Sequence, residues 1–143
     1  MIGLAKPTKP RGASGGFTLI ELLIAIAILA IIMGIAIPSY NQWVVKSNRA
    51  DAKGALFGAA QTLERCFTRY SAYDDGDCGL QDGDTEMSEN DKYQVTVAAT
   101  ATTFDLTAAP QGSQTSDSEC GDFTLDETGA KGVSGSGTVN DCW

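Results

Sequence analysis

Glu21 poses the first chemical question of this chain. It stands near the start of GGFTLIELLIAIAILAIIMGIAIPSY, residues 15–40, a stretch with no other charge. A carboxylate at the centre of a membrane helix costs about 2.5–3.5 kcal/mol, and less near an end where it approaches the interface. An acid kept in such a place usually marks a function and has a partner. A cut between Gly16 and Phe17 would create one, because the new Phe17 amine lies four residues before Glu21 on the same helical face. A neighbouring chain would bring a second amine. An ammonium in low dielectric relieves most of the penalty of burying a carboxylate, so Glu21 would then fix the register between subunits. Cysteine is the other reactive type. Cys66, Cys78, Cys120 and Cys142 contain no C-x-x-C pair, which makes zinc and thioredoxin-like readings weak. An even number in a chain that enters a membrane points to two disulfides in an oxidising compartment. Three connectivities are open, and the lower entropy of closing short loops favours 66–78 and 120–142. Histidine is absent, which removes Ser–His–Asp, Cys–His and His–zinc chemistry. The chain therefore reads as no enzyme, and nothing in it calls for a cofactor.

The elements that must carry these residues follow from the pattern of polarity. Residues 1–16 hold Lys6, Lys9 and Arg11 and no acid, while Phe17 to Ile37 give 21 residues whose only charge is Glu21. That length spans a bilayer as a helix, and the cations before it keep the N-terminus cytoplasmic while the remainder is exported. Gly34 and Pro38 weaken the helix, and a kink or local melting is expected at the proline. Beyond it Leu56, Ala59, Ala60, Leu63, Phe67 and Tyr70 recur at helical spacing, so one face is buried and the helix ends near Ala72. Gly54 and Gly58 form a small-x-x-x-small pair that allows close approach of another backbone. Lys46, Arg49 and Lys53 mark a basic stripe, with Arg65 and Arg69 farther on. Residues 74–91, DDGDCGLQDGDTEMSEND, form an acidic loop. Asp75, Asp77 and Glu86 fall at positions 1, 3 and 12 of an EF-hand register, but Gly79 and Leu80 occupy positions 5 and 6, so no metal site is assigned. Tyr93-Val95-Val97, Phe104-Leu106-Ala108 and Phe123-Leu125 alternate as half-buried antiparallel strands. Residues 132–138, GVSGSGT, are too rich in Gly and Ser to be placed in a strand, and Trp143 is expected to cover a sheet edge.

GG followed by FTLIELLIAIAILAIIMGIAIPSY strongly resembles the N-terminus of bacterial type IV pilins, and also of the pseudopilins of type II secretion. The resemblance implies cleavage by prepilin peptidase between Gly16 and Phe17, N-methylation of Phe17, an assembly role for Glu21 and helix kinking at Pro38. The ending CGDFTLDETGAKG…NDCW is similar to that of PilE-type minor type IVa pilins, with their Cys-bounded terminal loop. This second likeness favours pili over secretion pseudopilins, which generally lack that disulfide.

The expected fold is α+β: a long N-terminal transmembrane helix packed on a three- or four-stranded antiparallel sheet, stapled by disulfides. The chain divides into a cleaved leader (1–16), a transmembrane and assembly half-helix (17–40), an amphipathic half-helix (41–73), the acidic loop (74–91) and a sheet with a terminal disulfide loop (92–143). The resemblance implies a structural pilus subunit, minor rather than major, serving adhesion, twitching motility or DNA uptake. It would sit in the inner membrane of a Gram-negative bacterium and then in an extracellular filament, with other pilins, the peptidase and the assembly machinery as partners. One alternative is a DNA-receptor pilin that uses Lys46, Arg49 and Lys53 or the region of the terminal loop. Against it, the 7 cations and 18 acids that remain without the leader leave a balance of −11, and bulk DNA affinity needs cations. The other alternative is a secretion pseudopilin.

Overall fold

The computed structural model describes residues 16–143; the leader cations lie outside them. The elements are α1 (Leu19–Tyr70), β1 (Thr85–Met87), β2 (Tyr93–Ala99), β3 (Phe104–Pro110), a 3-10 turn (Gly112–Ser116), β4 (Phe123–Asp126), β5 (Lys131–Val133) and α2 (Val139–Cys142). Two compact units divide after Pro38.

In the first unit the residues of α1 up to Pro38 are exposed throughout, with Leu22, Ile24, Leu29, Ile31 and Ile35 among the uncovered apolar side chains. This stretch is long and apolar enough to cross a membrane, which is why apolar residues cover every face instead of one stripe. The helical backbone continues through Pro38, so the expected melting is not seen in this conformation.

The second unit, Ser39–Trp143, is the head. Its part of α1 buries Ala52, Leu56, Ala59, Leu63 and Cys66, a spacing of three and four residues that lines one helical face. Of these, Ala52, Leu56, Ala59 and Leu63 share a core with Tyr93, Val95, Val97, Phe104, Leu106, Ala108, Phe123 and Leu125. The sheet is an antiparallel meander in the order β1-β2-β3-β4-β5. Its register sets Val97 opposite Leu106 and Leu106 opposite Leu125, so one row of apolar residues crosses three strands on the face covered by α1. Tyr70, expected on the buried face, is exposed at the helix end, where the Arg69 guanidinium lies 5.9 Å from its ring centroid.

The sheet has five strands where three or four were expected. The first addition, β1, lies inside the segment expected to be loop. All three of its residues are exposed, so it carries no apolar alternation, and the free edge of β2 recruits it (Thr85 opposite Thr96). The second is β5, paired to β4 with Phe123 opposite Val133. The Gly/Ser run that follows is held by backbone bonds to the start of the terminal loop: Gly135 N donates to Cys120 O at 3.0 Å and Ser136 N to Ser118 O at 3.1 Å. A Cβ at Gly135 would strike the Glu119 carbonyl, which accounts for glycine there.

Disulfides join Cys66 to Cys78 and Cys120 to Cys142, with Cα separations of 5.4 and 5.7 Å. Each loop contributes about 3 kcal/mol in the chain-entropy description. The first ties the end of α1 to the acidic loop, and the second ties α2 to the segment before β4.

Candidate functional site

The N-terminal site begins at Gly16 and Phe17, both exposed. Thr18 precedes the first helical residue. Its Oγ1 accepts from Glu21 N at 3.3 Å, and Glu21 Oε2 accepts from Thr18 N at 3.4 Å. This reciprocal pair is a capping box, which satisfies two of the free N–H groups at a helix start. Glu21 thus already has a partner on its own chain. The sequence carries the signal for it, T-x-x-E before an apolar run, which a reading of Glu21 as a membrane acid overlooks.

The basic stripe is divided by the fold. Arg49 is buried. Its Nε donates to Asp117 Oδ2 at 2.8 Å, and its Nη2 donates to Asp117 Oδ1 at 2.8 Å and to Glu119 Oε2 at 2.7 Å. The hydrogen bonds that Arg49 donates to Asp117 hold the guanidinium more firmly charged than usual, against the opposing effect of burial. Arg49 is therefore a clamp between α1 and the terminal loop, which corrects its reading as a residue free for phosphate. Asp117 Oδ1 also accepts from Cys120 N at 3.2 Å, so the clamp reaches the disulfide. Beside it Gln114 donates through Nε2 to Val45 O and to Tyr93 Oη, both at 3.0 Å, while Asn48 Nδ2 donates to Gln114 Oε1 at 3.0 Å. Among the described residues no buried side-chain nitrogen or oxygen lacks a partner. No sequence signal announces this network, because its α1 members lie 66 to 70 residues from the partners they bond between Gln114 and Glu119.

Lys53 lies a turn beyond Arg49. Its Nζ donates to Trp143 O at 2.9 Å, and burial, then Arg49 and Lys131, hold its pKa below the usual lysine range. The Lys131 ammonium stands 4.9 Å from the Trp143 ring centroid and 5.5 Å from that of Phe57. Trp143 Nε1 donates to Gly132 O at 3.0 Å, which places the terminal ring against β5. Tertiary structure thus gathers two lysines and two aromatics that sequence spreads from residue 53 to residue 143. An indole and a phenyl ring beside two ammonium groups can contact both phosphates and the apolar surface of a nucleic acid. Lys46 is exposed, at the other end of the stripe.

The acidic side chains are largely engaged. Asp51 accepts from Ser88 Oγ and from Asn90 N and Nδ2, the last two at 3.2 and 3.0 Å, and so ties the β1–β2 connection to α1. Asp75 and Asp84 each accept a local backbone N–H, which builds turns in the loop that partly matches an EF-hand register, and Asp82 accepts from Ala99 N and ties that loop to the end of β2. Asp117, Glu119 and Cys120 lie close together, but Arg49 holds both carboxylates and the sulfur is in a disulfide.

Comparison with known proteins gives this geometry a setting. Residues 38–124 match a family model described as "Type IV minor pilin ComP, DNA uptake sequence receptor". The chain belongs to the type IV pilin family. Residues 11–37 of this pilin also match the prokaryotic N-terminal methylation motif. The fimbrial protein EcpC of Eikenella corrodens is 32% identical over 136 residues, covering 88% of the chain and 76% of the relative. A type IV major fimbrial protein FimA of Dichelobacter nodosus is 31% identical over 104 residues, covering 68% of the chain and 58% of the relative. The chain thus spans less than two thirds of the length of that relative. A solved type IV pilin from Shewanella oneidensis is 26% identical, with a TM-score of 0.46, covering 69% of this chain and 97% of that one. Pilins are structural subunits of filaments and not enzymes. The apolar helix and the methylation motif fit a subunit anchored in a membrane and then carried in a pilus fibre.

Proposed function

We propose that this pilin is a minor subunit that captures DNA at the pilus surface. The supporting observation is the joint position of Lys53, Lys131, Phe57 and Trp143 in a head whose family model is described as a DNA uptake sequence receptor. The net negative charge argues against bulk affinity for nucleic acid, but a local patch needs only a few cations to neutralise a few phosphates. With Arg49 withdrawn into its clamp, the contact moves from the stripe to the terminal loop, where Lys53 is the one stripe lysine that takes part.

In the same reading the chain is exported to the inner membrane of a Gram-negative bacterium. Prepilin peptidase cuts it after Gly16, Phe17 is methylated, and the assembly machinery draws it into a filament with other pilins. The Phe17 amine of the same or a neighbouring chain then replaces Thr18 as the partner of Glu21, and Pro38 supplies a place where the helix can yield. A secretion pseudopilin is disfavoured by the Cys120–Cys142 disulfide and by the fimbrial relatives.

The test is binding of duplex DNA to the detergent-solubilised pilin across a range of salt. Lys131→Ala should weaken binding and flatten the logarithmic salt dependence by about 0.9, the slope that one neutralised phosphate supplies. Absence of binding at low salt, or unchanged binding in a Lys53→Glu, Lys131→Glu double variant, would reject the receptor role and leave a purely structural subunit.

A further inference from the structure

Tyr40 and Trp43 are stacked side chains of the head, their ring centroids 6.1 Å apart and their planes 29° from parallel. Both are well exposed, at 63% and 64%. Core packing does not use them, and they lie outside the Phe57–Trp143 cluster. They come three and six residues along the chain after Ile37, where the apolar stretch ends, with polar Ser39, Asn41 and Gln42 between and beside them. Three residues later Lys46 is exposed. Among the described residues the side-chain ion pairs are those of Arg49, so the Lys46 ammonium meets no side-chain carboxylate.

We propose that Tyr40, Trp43 and Lys46 form a phospholipid headgroup anchor that sets the depth at which the subunit rests before assembly. The proposal rests on the membrane-anchored reading and adds to it a defined outer boundary. A helix of 21 residues is about 31 Å long at 1.5 Å per residue, which matches a hydrocarbon core of about 30 Å. The residues that follow it then meet the headgroups. Tyrosine and tryptophan concentrate at that level because their rings are apolar and their O–H and N–H need polar partners. A lysine one turn farther can lay its stem along the interface and place its ammonium against lipid phosphate. Phosphate is also what DNA offers, but the direct continuity of this trio with the apolar stretch favours lipid. The anchor gives Lys46 a different partner from the one the basic stripe suggested.

The experiment uses the full chain in vesicles of phosphatidylethanolamine and phosphatidylglycerol. Trp143→Phe leaves Trp43 as the sole tryptophan, and nitroxide lipids labelled at the headgroup or mid-chain report its depth. The headgroup probe should quench Trp43 about twofold more than the mid-chain probe, as for an interfacial ring. Lys46→Glu should reduce that quenching. A second reporter, Leu29→Trp in a Trp43→Phe, Trp143→Phe background, should respond mainly to the mid-chain probe. Deep quenching at position 29 with none at Trp43 would overturn the anchor while the membrane reading stands. No quenching at either position would remove both. Shielding of Trp43 from every lipid probe at high protein density, relieved on dilution with lipid, would assign the pair to a second copy and also overturn the anchor.

Discussion

The two stretches of α1 share a backbone conformation and little else. Up to Pro38 the helix leaves Leu, Ile and Met side chains uncovered, and the side-chain hydrogen bonds found there are those of Thr18 with Glu21. From Ser39 onward Asn48, Arg49, Asp51 and Lys53 each reach across to another part of the head, and Ala52, Leu56 and Leu63 are fully covered. The first stretch can reach a low free energy only by borrowing a partner, either lipid or other helices. The second completes itself within one chain. Loss of a key polar group should therefore affect assembly in one stretch and folding in the other.

Glu21→Gln should give the largest effect. Under the proposed cleavage after Gly16, the variant leaves the Phe17 amine without its counter-charge, and an unpaired buried charge costs about 3–5 kcal/mol. Fibre yield should drop at least about tenfold, while thermal melting of the head stays within about a degree of the parent. Fibres at parental yield, or a destabilised head, would break the contrast. Arg49→Ala should do the converse. It leaves buried Asp117 without its counter-charge, whereas exposed Glu119 turns to solvent, and denaturant melts should report a loss of about 3–5 kcal/mol. Below its melting temperature the variant should still insert in membranes. Arg49→Lys should restore little, because an ammonium cannot reproduce the forked contact with Asp117.

The smallest effect is a pH response confined to the head. Burial first, and then the Glu64 hydrogen bond, push the Tyr73 pKa up to about 12, and burial likewise pushes that of Tyr93 up to about 12. Both sit above the ordinary tyrosine value of about 10, so the neutral phenols contribute stability that is fully present below about pH 10. That stability is lost as the pH rises through about 12. Alkaline titration followed by tyrosinate absorbance should show these two ionising late and with loss of structure. Tyr93→Phe should flatten the loss at a cost of about 1 kcal/mol for the Gln114 hydrogen bond. Early, non-cooperative ionisation would contradict the packing around both rings.

Much of the fold was legible because its signals are local. The apolar run, the spacing of Leu56, Ala59 and Leu63, and the alternation in Tyr93-Val95-Val97 each express a period that a few neighbouring residues reveal. Thr85–Met87 carries no such period, since a wholly exposed strand has no apolar face to repeat. The candidate sites divide in the same way. Gly16, Phe17 and Glu21 form one motif within six residues, whereas Arg49 read as a free cation because its two acids arrive nearly seventy residues later.

Sequence alone determined that this chain has a membrane-length apolar helix with one acid in it, a half-buried sheet and paired cysteines. Composition and periodicity encode those features, and both act over a turn or a strand. Only the tertiary structure decided where each cation is held. Arg49 is withdrawn against Asp117 and Glu119, while Lys53 and Lys131 come together beside Phe57 and Trp143. The charge of a side chain is written in its residue type, but its availability depends on what the fold places within about 3 Å of it.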